Sequence, residues 1–320
     1  MAEQKIFDVV IVGGGPAGLT ASIYTSRHNL KTLVIAKSLG GQMALTNEIE
    51  NWPGSELTSG FELATKFKAQ TEKWQTEFNY NEVKQITKTE NGFVVRTGNE
   101  EFSAKAVVLA FGLTPRNLEV TGEEKLTGRG VSYCATCDGP FFRNKLIGIV
   151  GDGNAAVESL IYLSGLGQKI YLFHKEENLR AAPALIEKAK ALTNTEFVRF
   201  QSITELVGEN KLEKISFVDF DGENKEIMLN GLFVEIGHIA KTGWLKDFLD
   251  LNEKGEIKVN RDCETSVTGI FAAGDCTDSR YKQIVIACGE GAKAALQANK
   301  YILNREGKVL IPDWGKSKKK

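Results

Sequence analysis

Long apolar runs are missing from this chain. Stretches such as Val9–Val12 and Ala106–Leu109 fall far short of the roughly 18 residues that a membrane span needs. A charge imbalance is missing too. The 40 lysines and arginines against 41 aspartates and glutamates leave a net charge of −1, so no global field draws the protein to nucleic acid or to an anionic membrane. The opening MAEQKIFDVVIV carries Glu3 and Asp8 and enters a strand pattern almost at once. It leaves no room for a signal peptide, and the expected location is cytoplasmic. Cysteine is scarce and odd in number, five in 320 residues, which excludes a secreted disulfide scaffold. What remains is ordinary: 42% hydrophobic and 25% charged excludes a disordered chain, a collagen and a coiled coil. At roughly 150 residues per domain, the length makes about two domains, each able to bury its own core.

Two of the cysteines, Cys134 and Cys137, form a C-x-x-C, while Cys263, Cys276 and Cys288 stand alone. In a reducing compartment a single C-x-x-C is either half a zinc site or a redox pair. Zinc would need two further ligands. His28, His174 and His238 are scattered singly, and no lone cysteine has paired spacing, so the expectation is a redox pair and no metal. The lone cysteines read as small buried hydrophobes. Cys276, directly after Asp275, is the candidate exception.

An internal repeat organises the chain. Val9–Val12 is followed by Gly13-Gly14-Gly15-Pro16-Ala17-Gly18 and a helical pattern through Ile23 and Tyr24. Later, Ile147–Val150 is followed by Gly151-Asp152-Gly153-Asn154-Ala155-Ala156 and a helical pattern through Ile161 and Tyr162. Strands Lys31–Ile35 and Lys169–Phe173 follow in turn. Each copy reads strand, glycine turn, helix, strand, the βαβ unit of a dinucleotide-binding fold. Gly13 and Gly151 permit the tight turn, Gly15 and Gly153 let the backbone approach a pyrophosphate, and Gly18 or Ala156 lets helix and strand pack. The helix N-terminus, from Pro16 and Ala17 or from Asn154 and Ala155, offers unpaired N–H groups to the phosphates. Two such turns point to a flavin and a nicotinamide, between which a hydride moves. The fold expected is α/β.

Two further glycine-containing segments, Ala106–Leu113 with Gly112 and Gly269–Asp275 (GIFAAGD), resemble the corresponding turns of flavoprotein disulfide reductases. Over nearly its whole length the chain resembles a low-molecular-weight thioredoxin reductase. The likeness rests on GGGPAG (13–18), GGQM (40–43), NEIENWPG (47–54), GRGVSYCATCDGPFF (128–142), GDGNAA (151–156), GIFAAGDCTD (269–278) and YKQIVIACGEGAKAAL (281–296). The CATCD segment is the most specific, because it places the redox pair within the nicotinamide domain.

The resemblance implies two Rossmann-like domains, the nicotinamide domain being inserted into a discontinuous FAD domain. The boundaries expected are 1–116 and 244–320 for FAD and 117–243 for NAD(P)H, with crossings near Thr114–Asn117 and Ile239–Trp244. It also implies a homodimer, resident FAD, a thioredoxin or thioredoxin-like partner, and Cys134 and Cys137 cycling between disulfide and dithiol beside the acid Asp138. Gly41, Gln42, Asn51, Gly112, Gly274, Asp275, Lys282, Gln283 and Ile284 would join Gly13, Gly15, Pro16, Ala17 and Gly18 around FAD. His174, Lys175 and Arg180 would join Gly151, Gly153, Asn154 and Ala155 around the nicotinamide dinucleotide. Phe141 and Phe142 read either as core or as a surface that meets thioredoxin.

Three departures bear on function. The family's His-Arg-Arg reads His174-Lys175-Glu176 here, so one guanidinium has become a carboxylate; NADPH is the expected donor, with NADH admitted by Glu176. The segment Ile236-Gly237-His238-Ile239-Ala240-Lys241-Thr242 lacks the family's Pro-Asn. The 281–296 tail looks more like the flavoprotein component of alkyl hydroperoxide reductase, which makes an NADH-dependent peroxiredoxin reductase the alternative enzyme. That component carries a second C-x-x-C absent here. A non-catalytic FAD-binding protein is the alternative outside enzymes, and the intact C-x-x-C argues against it. The basic Lys316-Ser317-Lys318-Lys319-Lys320 reads as a solvated tail.

Overall fold

The structure is a computed structural model that describes residues 5–46 and 49–308. The basic tail at 316–320 and Asn47 and Glu48 of the NEIENWPG segment lie outside the described residues. The chain divides into two compact units. Met1–Leu113 and Ala240–Lys320 form one, and Thr114–Ile239 is inserted between them as the other.

In the first unit, β1 (Lys5–Val12) sends Val9 and Ile11 into one core and Val10 and Val12, on the opposite face, into another that also holds Phe7. A strand buried on both faces belongs to a parallel sheet covered on both sides. α1 (Pro16–Arg27) begins with proline, whose missing N–H costs nothing in a first turn. It returns the chain to β2 (Thr32–Ile35), parallel to β1. α2 (Gly60–Lys73) opens with a capping box: Glu62 N donates to Ser59 Oγ at 3.2 Å and Ser59 N to Glu62 Oε2 at 3.1 Å. β3 (Glu77–Asn79) extends the parallel edge, and β4 (Gln85–Thr89), β5 (Gly92–Arg96) and β6 (Glu101–Leu109) form an antiparallel meander. β6 also runs parallel beside β1, so the sheet order is β3-β2-β1-β6-β5-β4. Strand order reverses at β1, and such switch points open a crevice at the carboxyl ends of the strands.

The inserted unit opens on β7 (Thr114–Pro115) and, after α3 (Glu123–Leu126), β8 (Val131–Ser132) and the single turn α4 (Ala135–Asp138), builds its own βαβ core. β9 (Leu146–Val150), α5 (Asn154–Ser164) and β10 (Lys169–His174) are its centre. α6 (Pro183–Lys190) and β11 (Thr195–Arg199) follow, then an antiparallel sheet of β12 (Ser202–Val207), β13 (Lys214–Val218) and β14 (Asn224–Met228). β15 (Gly231–Val234) returns beside β9, giving the all-parallel order β11-β10-β9-β15-β8 with its switch at β9. β16 (His238–Ile239) leaves antiparallel to β7, so the strands that enter and leave the insertion pair with each other.

Back in the first unit, β17 (Ile270–Ala272) pairs parallel with the second half of β6. α7 (Ile284–Arg305) then crosses α1 where Gly291 meets Ala17: a Cβ on Gly291 would lie 2.2 Å from the Ala17 carbonyl oxygen. Both copies of the repeat thus form as the sequence predicts. No helix among the described residues is long and apolar enough to cross a membrane.

Candidate active site

Three groups of residues carry chemistry, and the first is the glycine turn after β1. Gly13 has φ +118°, and a side chain there would strike the Ala110 carbonyl oxygen at 2.2 Å. Gly18 is equally closed, its Cβ falling 2.0 Å from the Gly13 oxygen. Gly15 is different: the nearest atom to its missing Cβ is 4.0 Å away, so the backbone ahead of α1 stands open. No acidic residue occupies the first turn of α1 or of α7, which leaves both N-termini free to favour an anion.

Other residues expected at this site gather in the same unit. Asn51 Nδ2 donates to Gln283 Oε1 at 3.1 Å across 232 residues of sequence, and Gln42 Nε2 donates to the Leu113 carbonyl at 2.9 Å. Gln283 is the residue before α7, which Ile284 begins. Gly41, with φ +55°, lies beside Gly15, and Gly112, with φ +66°, has open space where a side chain would be. Gly274 N donates to Glu290 Oε2 at 2.8 Å, and its missing Cβ faces Ala17. Burial, reinforced by Glu290 and opposed by Lys282, holds the half-buried Asp275 carboxyl above its ordinary value. Lys282 itself is engaged by the protein: its Nζ donates to the Asp275 and Thr277 carbonyls at 3.1 and 2.6 Å and pairs with Glu256 at 3.0 Å. It braces the GIFAAGD turn. Glu290 and Glu256 were not singled out from sequence, since nothing in their local pattern marks them. The open Gly15 and two uncompensated helix ends fit a dinucleotide such as FAD.

The second group is the cysteine pair. Cys134 and Cys137 form a disulfide with Cα atoms 5.4 Å apart, at the start of α4. Cys137 N donates to Cys134 Sγ at 3.2 Å. Cys137 is exposed and Cys134 half-buried. Asp138 accepts a 2.6 Å hydrogen bond from Ser132 Oγ, and the same Ser132 oxygen accepts from Cys134 N at 3.1 Å. Ser132 therefore ties the acid to the cysteine turn. The buried Glu123 anchors the neighbouring residue: it accepts from Tyr133 Oη at 2.7 Å and from the Leu118 and Glu119 amides at 2.8 Å each. Burial and that carboxylate push the Tyr133 phenol up to about 12. Phe141 and Phe142 divide the two roles offered for them. Phe142 packs edge-on against Phe233 at 5.5 Å, whereas Phe141 is 71% exposed. The lone cysteines are buried as expected, and burial pushes the Cys276 thiol up to about 12 and that of Cys263 to about 11.

The third group surrounds the turn after β9. Gly151, with φ +153°, is closed by the Glu235 carbonyl at 2.4 Å, while Gly153 has nothing within 4 Å. The residues before α1 and α5 share one conformation, φ −80° and ψ −172° for Gly15 against φ −91° and ψ −177° for Gly153. A cleft of about 560 Å³ opens here. Gly151–Ala155, His174, Lys175 and Arg180 line it, joined by Glu176, Arg116 and Glu235. His174 Nδ1 lies 2.8 Å from the Glu176 carbonyl. Arg180 donates to Asp152 Oδ1 at 2.8 Å. Ser159 Oγ donates to Glu235 Oε1 at 2.8 Å, and burial pushes that carboxyl up to about 7. Asp152, Arg116 and Glu235 were missed from sequence. Only Asp152 left a signal, a carboxylate inside a turn built to face phosphate.

Residues 7–291 match the pyridine nucleotide-disulphide oxidoreductase family. The chain is 40% identical to thioredoxin reductase of Bacillus subtilis over 94% of its own length and 96% of that protein. It is also 40% identical to a component of the alkyl hydroperoxide reductase of Staphylococcus aureus, over 94% of this chain but only 60% of that longer protein. Among solved structures, Lactococcus lactis thioredoxin reductase in its FR conformation superposes with a TM-score of 0.83 at 36% identity, covering 93% of this chain and 99% of that one.

Proposed function

The chain belongs to the pyridine nucleotide-disulphide oxidoreductase family, and from that premise we propose that it is an NAD(P)H-dependent flavoprotein that reduces the disulfide of thioredoxin or a thioredoxin-like protein. The observation that carries this reading is the Cys134–Cys137 disulfide, coupled through Ser132 to Asp138 in the unit that also bears the second glycine turn. The discontinuous unit would hold FAD at Gly13–Gly18 and α7, and the inserted unit the nicotinamide dinucleotide in the cleft after β9. Bound FAD supplies two-electron transfer between reduced nicotinamide and a disulfide. The family pattern supports NADPH as donor, and Glu176 supports NADH.

The protein's own residues account for the sulfur steps. In the dithiol form, one sulfur attacks the partner disulfide as a thiolate, bonding to one partner sulfur and expelling the other as thiolate. The second cysteine, three residues away in a single turn, then displaces the first partner sulfur and re-forms Cys134–Cys137. The partner is left with two thiols. In this reading Asp138 holds the proton that the pair releases or regains, and Ser132 donates to its carboxylate. Exposed Phe141 gives the partner an apolar contact on the same short segment. The resemblance supports a homodimer in the cytoplasm.

Identity to the alkyl hydroperoxide reductase component equals that to thioredoxin reductase, which favours one second reading, in which the dithiol serves a peroxiredoxin. Turnover of the FAD-loaded protein with oxidised thioredoxin, with peroxiredoxin plus peroxide, and with oxygen alone separates these. Rapid NAD(P)H oxidation coupled to thioredoxin thiols is expected. Equal rates with oxygen alone would overturn the reading.

A further inference from the structure

The strand end after β10 offers Lys175 and Arg180 to a dinucleotide, but the structure shows Arg180 already committed. Residues 180–182 lie along the glycine turn. Arg180 N donates to the Asp152 carbonyl at 2.7 Å, its Nη2 donates to Asp152 Oδ1 at 2.8 Å, and Ala182 N donates to Asn154 Oδ1 at 2.8 Å. Gly153 and Arg180 are bridged as parallel strand residues. The Asp152 side chain is only 15% exposed although that of Arg180 is 68% exposed, so the acid is the fixed member of the pair. Glu176 adds a second negative charge near the same guanidinium. Lys175 Nζ sits 5.7 Å from the Phe200 ring centre. Within the cleft lining, Arg116, Lys175 and Arg180 are opposed by Asp152 and Glu176 and, where its raised carboxyl ionises, by Glu235, which leaves little surplus of positive charge.

NADPH differs from NADH by a 2′-phosphate, a dianion that an arginine fork accommodates. An exposed ion pair opens cheaply, so the Asp152–Arg180 bond alone does not exclude that phosphate. The carboxylate left behind does. Asp152 is held in the turn by its own carbonyl bond to Arg180 N, so a phosphate on Arg180 would face both Asp152 and Glu176. The neutral 2′-hydroxyl of NADH meets no such repulsion. We propose that Asp152 is a specificity-determining residue that turns this cleft toward NADH by keeping a fixed carboxylate beside Arg180, where a 2′-phosphate would have to bind. This rests on the assignment of the cleft to a nicotinamide dinucleotide.

The test is calorimetric binding of NAD⁺ and NADP⁺ to the FAD-loaded protein, in which no hydride moves. Asp152→Asn should raise affinity for NADP⁺ relative to NAD⁺ by at least about fivefold. Arg180→Gln alone should change NADP⁺ affinity by less than about twofold, yet in the Asp152→Asn background it should abolish the gain, a coupling that a double-mutant cycle reads directly. An unchanged ratio in Asp152→Asn overturns the proposal. So does a loss of more than about fivefold in Arg180→Gln alone, because Arg180 would then read the phosphate despite Asp152; this arm stands even where Asp152→Asn does not fold. Binding of neither dinucleotide would overturn the cleft assignment itself, together with this inference.

Discussion

Alanine at Gly18 and alanine at Gly153 should fail in opposite ways. At Gly18 the new methyl would lie 2.0 Å from the Gly13 carbonyl oxygen, so α1 and the turn after β1 must part by more than about 1 Å, the kind of overpacking that costs roughly 1–3 kcal/mol or more. At Gly153 nothing lies within 4 Å, and φ −91° suits alanine without strain. The fold should therefore keep its stability within about 0.5 kcal/mol, the range of surface substitutions. The same methyl projects where the pyrophosphate must approach. Displacing the phosphate from one backbone N–H loses a charge-assisted hydrogen bond of about 1.5–3 kcal/mol, which weakens dinucleotide binding about 10- to 150-fold. Thermal unfolding without nucleotide, beside calorimetric titration with NAD⁺, reads both effects. A Gly153→Ala protein that loses stability but binds as before would refute the argument, since that glycine would then serve packing rather than ligand approach.

Cys134→Ser or Cys137→Ser should abolish partner reduction yet leave stopped-flow bleaching of bound FAD by NAD(P)H intact; loss of bleaching in a folded, FAD-loaded variant would show the roles misassigned. Glu176→Arg should raise the ratio of kcat/KM for NADPH over NADH at least about tenfold, and an unchanged ratio would mean that this loop does not read the 2′ position. Glu235 should leave a signature in the stability of the nucleotide-free protein. Its carboxyl is held at about 7 in the folded state against an ordinary 4.5, mainly by burial. Between those pH values the folded chain keeps a proton that the unfolded chain has released, so stability falls as pH rises through the window, by ~3 kcal/mol at most. Glu235→Gln should gain stability over the parent as pH is raised from 4.5 to 7, read as urea midpoints; parallel curves would count against it.

The features legible in the sequence share a physical cause, local backbone demand. Gly13, Gly15, Gly151 and Gly153 are required by close approach or open space at the turn itself, and the burial of β1 on both faces over Val9–Val12 follows from its run of β-branched residues. The third glycine position shows what the pattern also carries. Gly18 admits no methyl, whereas Ala156 occupies the equivalent place in the second copy and is fully buried. Long-range pairing left less trace. Glu123 holds Tyr133 and two amides, yet it reads as one more acid in an exposed EEK run. Asp152 and Arg180 are separated by 28 residues with no periodicity to link them. Lys282 is grouped with FAD by resemblance, and only the folded chain reveals that its ammonium is taken up by Asp275, Thr277 and Glu256. Such contacts depend on which loops the fold of each unit brings together, which composition and spacing do not encode.

In the proposed reaction, electrons from the nicotinamide leave through Cys134 and Cys137 to a protein disulfide. Anaerobic reduction of the FAD-loaded protein with NAD(P)H, rapid mixing with oxidised thioredoxin, and alkylation of new thiols followed by peptide mass analysis test it most directly. Label should appear on both Cys134 and Cys137 before mixing, then pass in equal amount to the thioredoxin cysteines as the Cys134–Cys137 disulfide returns. A pair that remains disulfide-bonded while NAD(P)H is consumed would contradict the account.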